Sequence, residues 1–113
     1  MSVIDLNTYN ALKESTGADF VSTLTDTFID DGDALIEQMR AALSGKDAET
    51  FRRAAHSLKS NAATFGADEL SALARELETM GRENNLEAQD QFEALKEAFE
   101  LAKSQLNELR QAP

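Results

Sequence analysis

The sequence predicts an all-α protein: an antiparallel four-helix bundle with a short N-terminal capping helix. Glycine and proline are scarce, at five and one of 113 residues, and Ala, Leu, Glu, Lys and Arg predominate, which favours helices. Apolar residues also recur at alternating spacings of three and four along four long segments joined by short links. This periodicity is typical of helices that bury one face.

Five helices are predicted, each from its own apolar stripe. Their ranges are 5–16, 19–44, 47–65, 68–83 and 87–110. In the same order, the stripes consist of Leu6, Tyr9 and Leu12; Val21, Leu24, Phe28, Leu35, Met39 and Ala42; Phe51, Ala54, Leu58, Ala62 and Phe65; Leu70, Leu73, Leu77 and Met80; and Phe92, Leu95, Phe99, Ala102, Leu106 and Leu109.

Helix ends are predicted from glycines and aspartates. A glycine after a helical stretch can adopt the left-handed conformation that ends many helices, and an aspartate two residues later can accept the free amides of the next first turn. The pairs that fit are Gly17 with Asp19, Gly45 with Asp47 and Gly66 with Asp68. The segment 30–33 (Asp-Asp-Gly-Asp) is expected to bend or break the second helix, because glycine weakens a helix by about 1 kcal/mol. It lacks the ligand spacing of a calcium loop.

Length and charge limit the classes of function. The length allows one domain, predicted over 1–113. The 21 acidic and 11 basic residues give a net charge of −10, which disfavours binding to nucleic acid or to anionic membranes. The lack of cysteine excludes disulfides and cysteine-ligated zinc. No apolar run approaches the length of a membrane span and the first residues do not form a signal peptide, so a cytoplasmic location is expected.

The single histidine, His56, is predicted to face solvent. At about 100° per residue it lies roughly 160° around its helix from Leu58, at the centre of the apolar stripe. A solvated surface histidine is one interpretation. A metal ligand is disfavoured because the chain offers no second histidine and no cysteine. A serine hydrolase using Ser57 or Ser60 is also disfavoured, because both serines share the helix of the histidine.

The surroundings of His56 favour nucleophilic chemistry. Arg52, Arg53 and Lys59 lie within one turn, and no acidic residue occurs from 50 to 67. These cations favour the neutral imidazole, which is a nucleophile, and would stabilise the roughly two negative charges of an added phosphoryl group. Ser60 and Ala63 are small and would leave the ring accessible.

Residues 56–70 resemble the signature of histidine-containing phosphotransfer (HPt) domains. They read His-Ser-Leu-Lys-Ser-Asn-Ala-Ala-Thr-Phe-Gly-Ala-Asp-Glu-Leu. The signature consists of His, any residue, Leu, Lys and a small residue, then Ala or Ser two positions later, an apolar residue, Gly-Ala and Leu. The resemblance covers essentially the whole chain in length and helix order.

The resemblance implies a phosphorelay intermediate rather than an enzyme. Such a carrier passes a phosphoryl group between aspartates of receiver domains, here those of a hybrid histidine kinase and a response regulator. It implies no cofactor in this chain, since Mg²⁺ is expected only in the partner receiver, and we expect a monomer. The alternative is a helical adaptor that binds receiver domains without being phosphorylated.

The resemblance also assigns residues. His56 would accept the phosphoryl group on its ring nitrogen remote from the backbone, and Lys59 would neutralise the phosphoryl oxygens. Ser60 stands where the family often has glycine, which narrows access slightly and adds a hydroxyl. Glu78 stands where members frequently place a glutamine facing the histidine, and Arg82 matches a position where some members carry arginine.

The role of Glu78 is open at this point. Ser71, Arg75, Glu78 and Arg82 are predicted to form the solvent stripe of their helix. A carboxylate beside His56 would repel phosphate unless Arg75 and Arg82 compensate for its charge. The other interpretation is an ordinary solvated face with surface ion pairs. Arg52 and Arg53 are further candidate auxiliary residues, and the docking surface is expected to comprise the His56 face and exposed apolar residues of 5–16 and 19–30.

Overall fold

The computed structural model describes residues 3–111. Within that range it contains five α-helices and no β-strand, which confirms the all-α prediction. The helices are α1 (Leu6–Thr16), α2 (Ala18–Gly45), α3 (Ala48–Thr64), α4 (Asp68–Arg82) and α5 (Gln89–Gln111). The predicted ranges overlap these helices one by one. The first two and last two residues of the predicted 1–113 domain lie outside the described residues.

The five helices share one apolar core. Helix α3 contacts α2 and α4, α5 contacts the same two helices, and α1 contacts α2. Every helix contributes buried side chains to a single cluster. Within this cluster, the ring centroid of Phe28 lies 5.0 Å from that of Phe65 and 5.8 Å from that of Phe99. The antiparallel four-helix arrangement capped by α1 remains a prediction.

Leu6 departs from its predicted stripe. Its side chain is 44% exposed, whereas Tyr9, one turn later, is 2% exposed and Leu12 is half-buried. Helix α1 packs against α2 with Tyr9 in the core, and Leu6, three positions earlier, lies on a side of α1 that the core does not cover. The prediction that Leu6 is buried was therefore wrong.

Two of the three predicted glycine caps have a positive φ, although ψ of Gly17, at 152°, lies outside the left-handed helical region. Gly17 and Gly66 adopt φ values of 93° and 77°. Gly45 instead lies inside α2, and Lys46 takes the left-handed conformation at φ 55°. The helix closes one residue later than predicted because the N–H groups of Lys46 and Asp47 bond to the carbonyls of Leu43 and Ala42.

Of the predicted aspartate caps, only Asp47 acts as one. Its side chain accepts a hydrogen bond from the backbone N–H of Thr50 at the start of α3. Asp19 and Asp68 lie within the first turns of α2 and α4, whose N-cap residues have no side-chain hydrogen bond. Asp5, which the sequence did not single out, caps α1.

Helix α2 is continuous over 30–33, so a break there, one of the two predicted outcomes, was wrong. Gly32 is buried, and a Cβ atom placed on it would lie 2.2 Å from Cε1 and 2.6 Å from Cζ of Phe99. The glycine therefore accommodates the Phe99 ring of α5 against the α2 backbone. Its neighbours Asp30, Asp31 and Asp33 are exposed on the same continuous helix.

None of the helices in residues 3–111 combines the length and the apolar character that a membrane span requires.

Candidate functional site

Helix α3 presents His56 to solvent. Phe51, Ala54, Leu58 and Ala62 are buried on one face of α3, whereas 57% of the His56 side chain is exposed on the other. Burying the apolar face thus fixes the helix with its histidine outward, as the periodicity predicts.

Glu78 of α4 bridges the two functional candidates of α3. Its Oε2 lies 2.7 Å from Nδ1 of His56, and its Oε1 accepts a hydrogen bond of 2.6 Å from Nζ of Lys59. Only 5% of its side chain is exposed. The prediction that Glu78 belongs to a solvent stripe was therefore wrong, and it lies between α3 and α4.

Close packing of α4 on α3 explains this burial. Gly81 and Ala74 are buried and Ser71 is half-buried, and together with Glu78 they recur at spacings of three and four along one line of α4. The Ser71 hydroxyl donates to the backbone carbonyl of Lys59 at 3.0 Å. This line of small residues around Glu78 is the sequence signal that would have placed it at the interface.

The site keeps Glu78 ionised. The hydrogen bond from Lys59 lowers the pKa of Glu78; burial raises it, and the hydrogen bond with His56 lowers it further, so that the pKa lies below its ordinary value of 4.5. A guanidinium nitrogen of Arg82 lies 3.6 Å from Oε2. Glu78 is therefore a carboxylate at neutral pH.

The contact with this carboxylate fixes the tautomer of His56. An ionised carboxylate can only accept hydrogen bonds, so Nδ1 must carry the proton in the 2.7 Å contact. A neutral imidazole protonated on Nδ1 has its lone pair on Nε2. The nucleophilic nitrogen of His56 is therefore the one remote from the backbone.

The cations predicted around His56 are only partly present there. Arg52 and Arg53 form ion pairs with Glu49, at 2.6 and 3.3 Å. Lys59 is near His56 through their shared partner Glu78. The two arginines lie one turn before His56. Their partner Glu49 immediately precedes the acid-free stretch 50–67, so it lay outside the predicted surroundings of His56.

Arg75, the remaining predicted auxiliary residue, does not join the site. It is exposed, and within residues 3–111 it forms no ion pair with Glu78, so of the two arginines considered as compensation for the charge of Glu78, Arg75 is not in contact with it. Arg82 does approach Glu78, as predicted.

Access to His56 is open along α3. Ser60 and Ala63, on the next two turns, are both exposed, as expected for small residues on its face. On the other side of the helix, Ser57 and Asn61 border a shallow groove with Asp31 and Gln38 of α2. In the described part of the chain, no group of three or more acidic or histidine side chains is arranged to hold a metal ion.

Comparison with known proteins identifies the family. The family model of the Hpt domain matches residues 23–112. The phosphorelay protein LuxU of Vibrio vulnificus, in strains YJ016 and CMCP6, is 30% identical over 85 residues, which cover 75% of this chain and 74% of LuxU. The crystal structure of histidine-containing phosphotransfer protein B (HptB) from Pseudomonas aeruginosa PAO1 superposes with a TM-score of 0.91 at 28% identity, covering 96% of this chain and 94% of HptB. With its exposed histidine on a helical framework of this kind, the chain belongs to the Hpt domain family.

Proposed function

We propose that this protein carries a phosphoryl group on Nε2 of His56 between the receiver-domain aspartates of a hybrid histidine kinase and a response regulator. The observation that carries the proposal is the 2.7 Å contact between Nδ1 of the exposed His56 and the buried carboxylate of Glu78. That contact directs the lone pair of the imidazole to Nε2. Membership of the Hpt family supports the same assignment.

The transfer requires few groups from this chain. The Nε2 lone pair of His56 attacks phosphorus in the aspartyl phosphate of the receiver, and the P–O bond breaks with its electron pair leaving on the aspartate. Phosphoryl transfer depends mainly on positioning and charge stabilisation, and the receiver supplies Mg²⁺. Lys59, 24% exposed beside the ring, would neutralise phosphoryl oxygens from its position against Glu78.

We propose that the protein acts as a carrier without a cofactor of its own, as a cytoplasmic monomer rather than as an enzyme. Helices α2 to α5 would form its antiparallel bundle, with α1 as the cap. The receiver would dock on the His56 face together with exposed apolar side chains. Leu6 and Phe20, at 44% and 52% exposure, are the candidates in the predicted segments.

The test is phosphate uptake from phosphorylated receiver domains in the presence of Mg²⁺, measured by intact-protein mass spectrometry. We expect an adduct of one phosphoryl group on the wild type and none on His56→Gln, with circular dichroism of the variant remaining helical. Ser57→Ala is the matched control on the neighbouring exposed position and should retain the adduct.

An acid-labile adduct that persists in His56→Gln would overturn the assignment. Binding of receivers without any adduct on the wild type would favour the adaptor function instead.

A further inference from the structure

We propose that Glu78 keeps the proton on Nδ1 of His56 after Nε2 has been phosphorylated, so that the carrier holds a phosphoimidazolium rather than a neutral phosphoimidazole. This inference rests on the proposed function of His56. Its basis is geometric: the carboxylate lies 2.7 Å from Nδ1 and only 5% of its side chain is exposed.

Glu78 is the charged group that contacts Nδ1 directly. Its other oxygen binds Nζ of Lys59 at 2.6 Å, and Arg82 on its own helix lies 3.6 Å away. The hydrogen bond from Lys59 holds the carboxylate ionised, and an anion at hydrogen-bonding distance favours the cationic form of the ring. The phosphoryl group adds about two negative charges at the other nitrogen, which favours a positive ring further.

The other charged groups near His56 do not cancel the preference for a cationic ring. On α3, Arg52 and Arg53 are engaged by Glu49 one turn earlier. From α2, Asp31 borders the groove beside Ser57, on the other side of α3 from the contact with Glu78.

A retained proton changes the leaving group of the second transfer. When Nε2 attacks phosphorus, the Nε2–P bond forms, the P–O bond to the donor breaks, and the ring with its Nδ1 proton becomes positively charged. When the phosphoryl group moves on, the Nε2–P bond breaks and its electron pair returns to Nε2, which releases neutral imidazole. Without the Nδ1 proton the leaving group would be the far more basic imidazolate. The proton therefore stays in place through both transfers, and no exchange with water is needed.

The charge of Glu78, rather than its hydrogen bond alone, is the proposed determinant. A glutamine at this position would accept the same N–H hydrogen bond through its amide oxygen but would bring no negative charge. Glu78→Gln therefore removes the charge with little change of shape, although its amide nitrogen cannot accept the hydrogen bond that Lys59 now donates. Glu76→Gln, at an exposed position of the same helix, removes an equal charge away from the site and is the matched control.

The test follows the Nδ1 proton in the phosphorylated protein. Wild type, Glu78→Gln and Glu76→Gln, labelled with ¹⁵N-histidine, are phosphorylated with phosphoramidate, and the Nδ1 chemical shift is recorded against pH. We expect the phosphorylated ring of the wild type and of Glu76→Gln to lose its proton about one to three pH units above that of Glu78→Gln, the range typical of a charge at contact distance.

Coincident titrations of wild type and Glu78→Gln, both carrying phosphate on His56, would overturn the inference and leave the carrier function intact. A wild type that forms no phosphohistidine even with phosphorylated receivers would instead refute the proposed function. If Glu78→Gln does not fold, the wild type is compared with a short phosphohistidine peptide. An equal titration of protein and peptide would then contradict the role of Glu78.

Discussion

Replacing Gly81 by alanine tests whether the contact between α3 and α4 positions the site. A Cβ atom on Gly81 would lie 3.0 Å from Cβ of Arg52 and 3.1 Å from its Cα and N, closer than ordinary contacts of 3.4–4 Å. Two of these three atoms belong to the backbone, so rotation of a side chain cannot relieve the contact. Helix α4 must instead recede by a few tenths of an ångström.

The cost can be isolated with a second glycine. Gly45 ends α2 as Gly81 nearly ends α4, but a Cβ atom on it would meet nothing within 4 Å. Both substitutions to alanine gain helix propensity of up to about 1 kcal/mol, so this gain largely cancels in the comparison. The remaining difference is the overpacking at Gly81, about 1–3 kcal/mol.

We therefore expect Gly81→Ala to be less stable than Gly45→Ala by that amount in urea unfolding followed by circular dichroism at 222 nm. The same shift of α4 would lengthen the contacts of Glu78 with His56 and Lys59, now 2.7 and 2.6 Å. The ring ¹⁵N shifts of His56 should change in Gly81→Ala and remain unchanged in Gly45→Ala. Equal free energies of unfolding, with unchanged His56 shifts in both variants, would refute the reasoning.

Three further changes test other contacts. Lys59→Ala should slow phosphate uptake from receivers by about 10- to 150-fold, because it removes one charge-assisted hydrogen bond of about 1.5–3 kcal/mol. Helical content should remain unchanged in circular dichroism. Gly32→Ala should lower the free energy of urea unfolding relative to Gly45→Ala by about 1–3 kcal/mol, because its Cβ would overlap the buried Phe99 ring. The hydrogen bond from Lys59 lowers the pKa of Glu78 below its ordinary value of 4.5 in the folded protein. The ionised carboxylate therefore stabilises the fold above pH 4.5, and this contribution is lost as the pH falls below that value. Unfolding free energies measured against pH should therefore fall more steeply on acidification in the wild type than in Glu78→Gln.

Each of these expectations has a distinct contradiction. An unchanged uptake rate in Lys59→Ala would remove this residue from the site. A Gly32→Ala protein as stable as Gly45→Ala would mean that α5 does not approach α2 as closely as described. If the free energies of unfolding of the wild type and Glu78→Gln depend on pH in the same way, the hydrogen bonds of the Glu78 carboxylate do not stabilise the folded protein.

The periodic apolar residues made the helices predictable, because each amphipathic stripe is encoded within its own segment. The exposure of His56 followed from the same periodicity, since Leu58 and its neighbours define the buried face of α3. The predicted break at Gly32 failed because local propensity does not reveal the Phe99 ring that packs against this glycine from a distant helix.

The placement of Glu78 failed for a related reason. Glutamates are rarely buried unless they have a charged or hydrogen-bonding partner. The partners of Glu78 are Lys59 and His56, which lie on another helix. Within α4 alone, Glu78 was predicted to face solvent because it lies opposite the apolar residues Leu73 and Leu77. The spacing of Ser71, Ala74, Glu78 and Gly81 becomes informative only once α3 is known to pack along that line.

The position of the phosphorus atom on the imidazole ring is the decisive measurement. Protein labelled with ¹⁵N-histidine is incubated with a phosphorylated receiver domain and Mg²⁺, and the scalar coupling between phosphorus and each ring nitrogen is recorded by NMR. We expect the coupling that marks a direct N–P bond at Nε2 of His56, with the proton still on Nδ1 facing Glu78. A direct bond from phosphorus to Nδ1, or transfer that leaves His56 unmodified, would contradict this account.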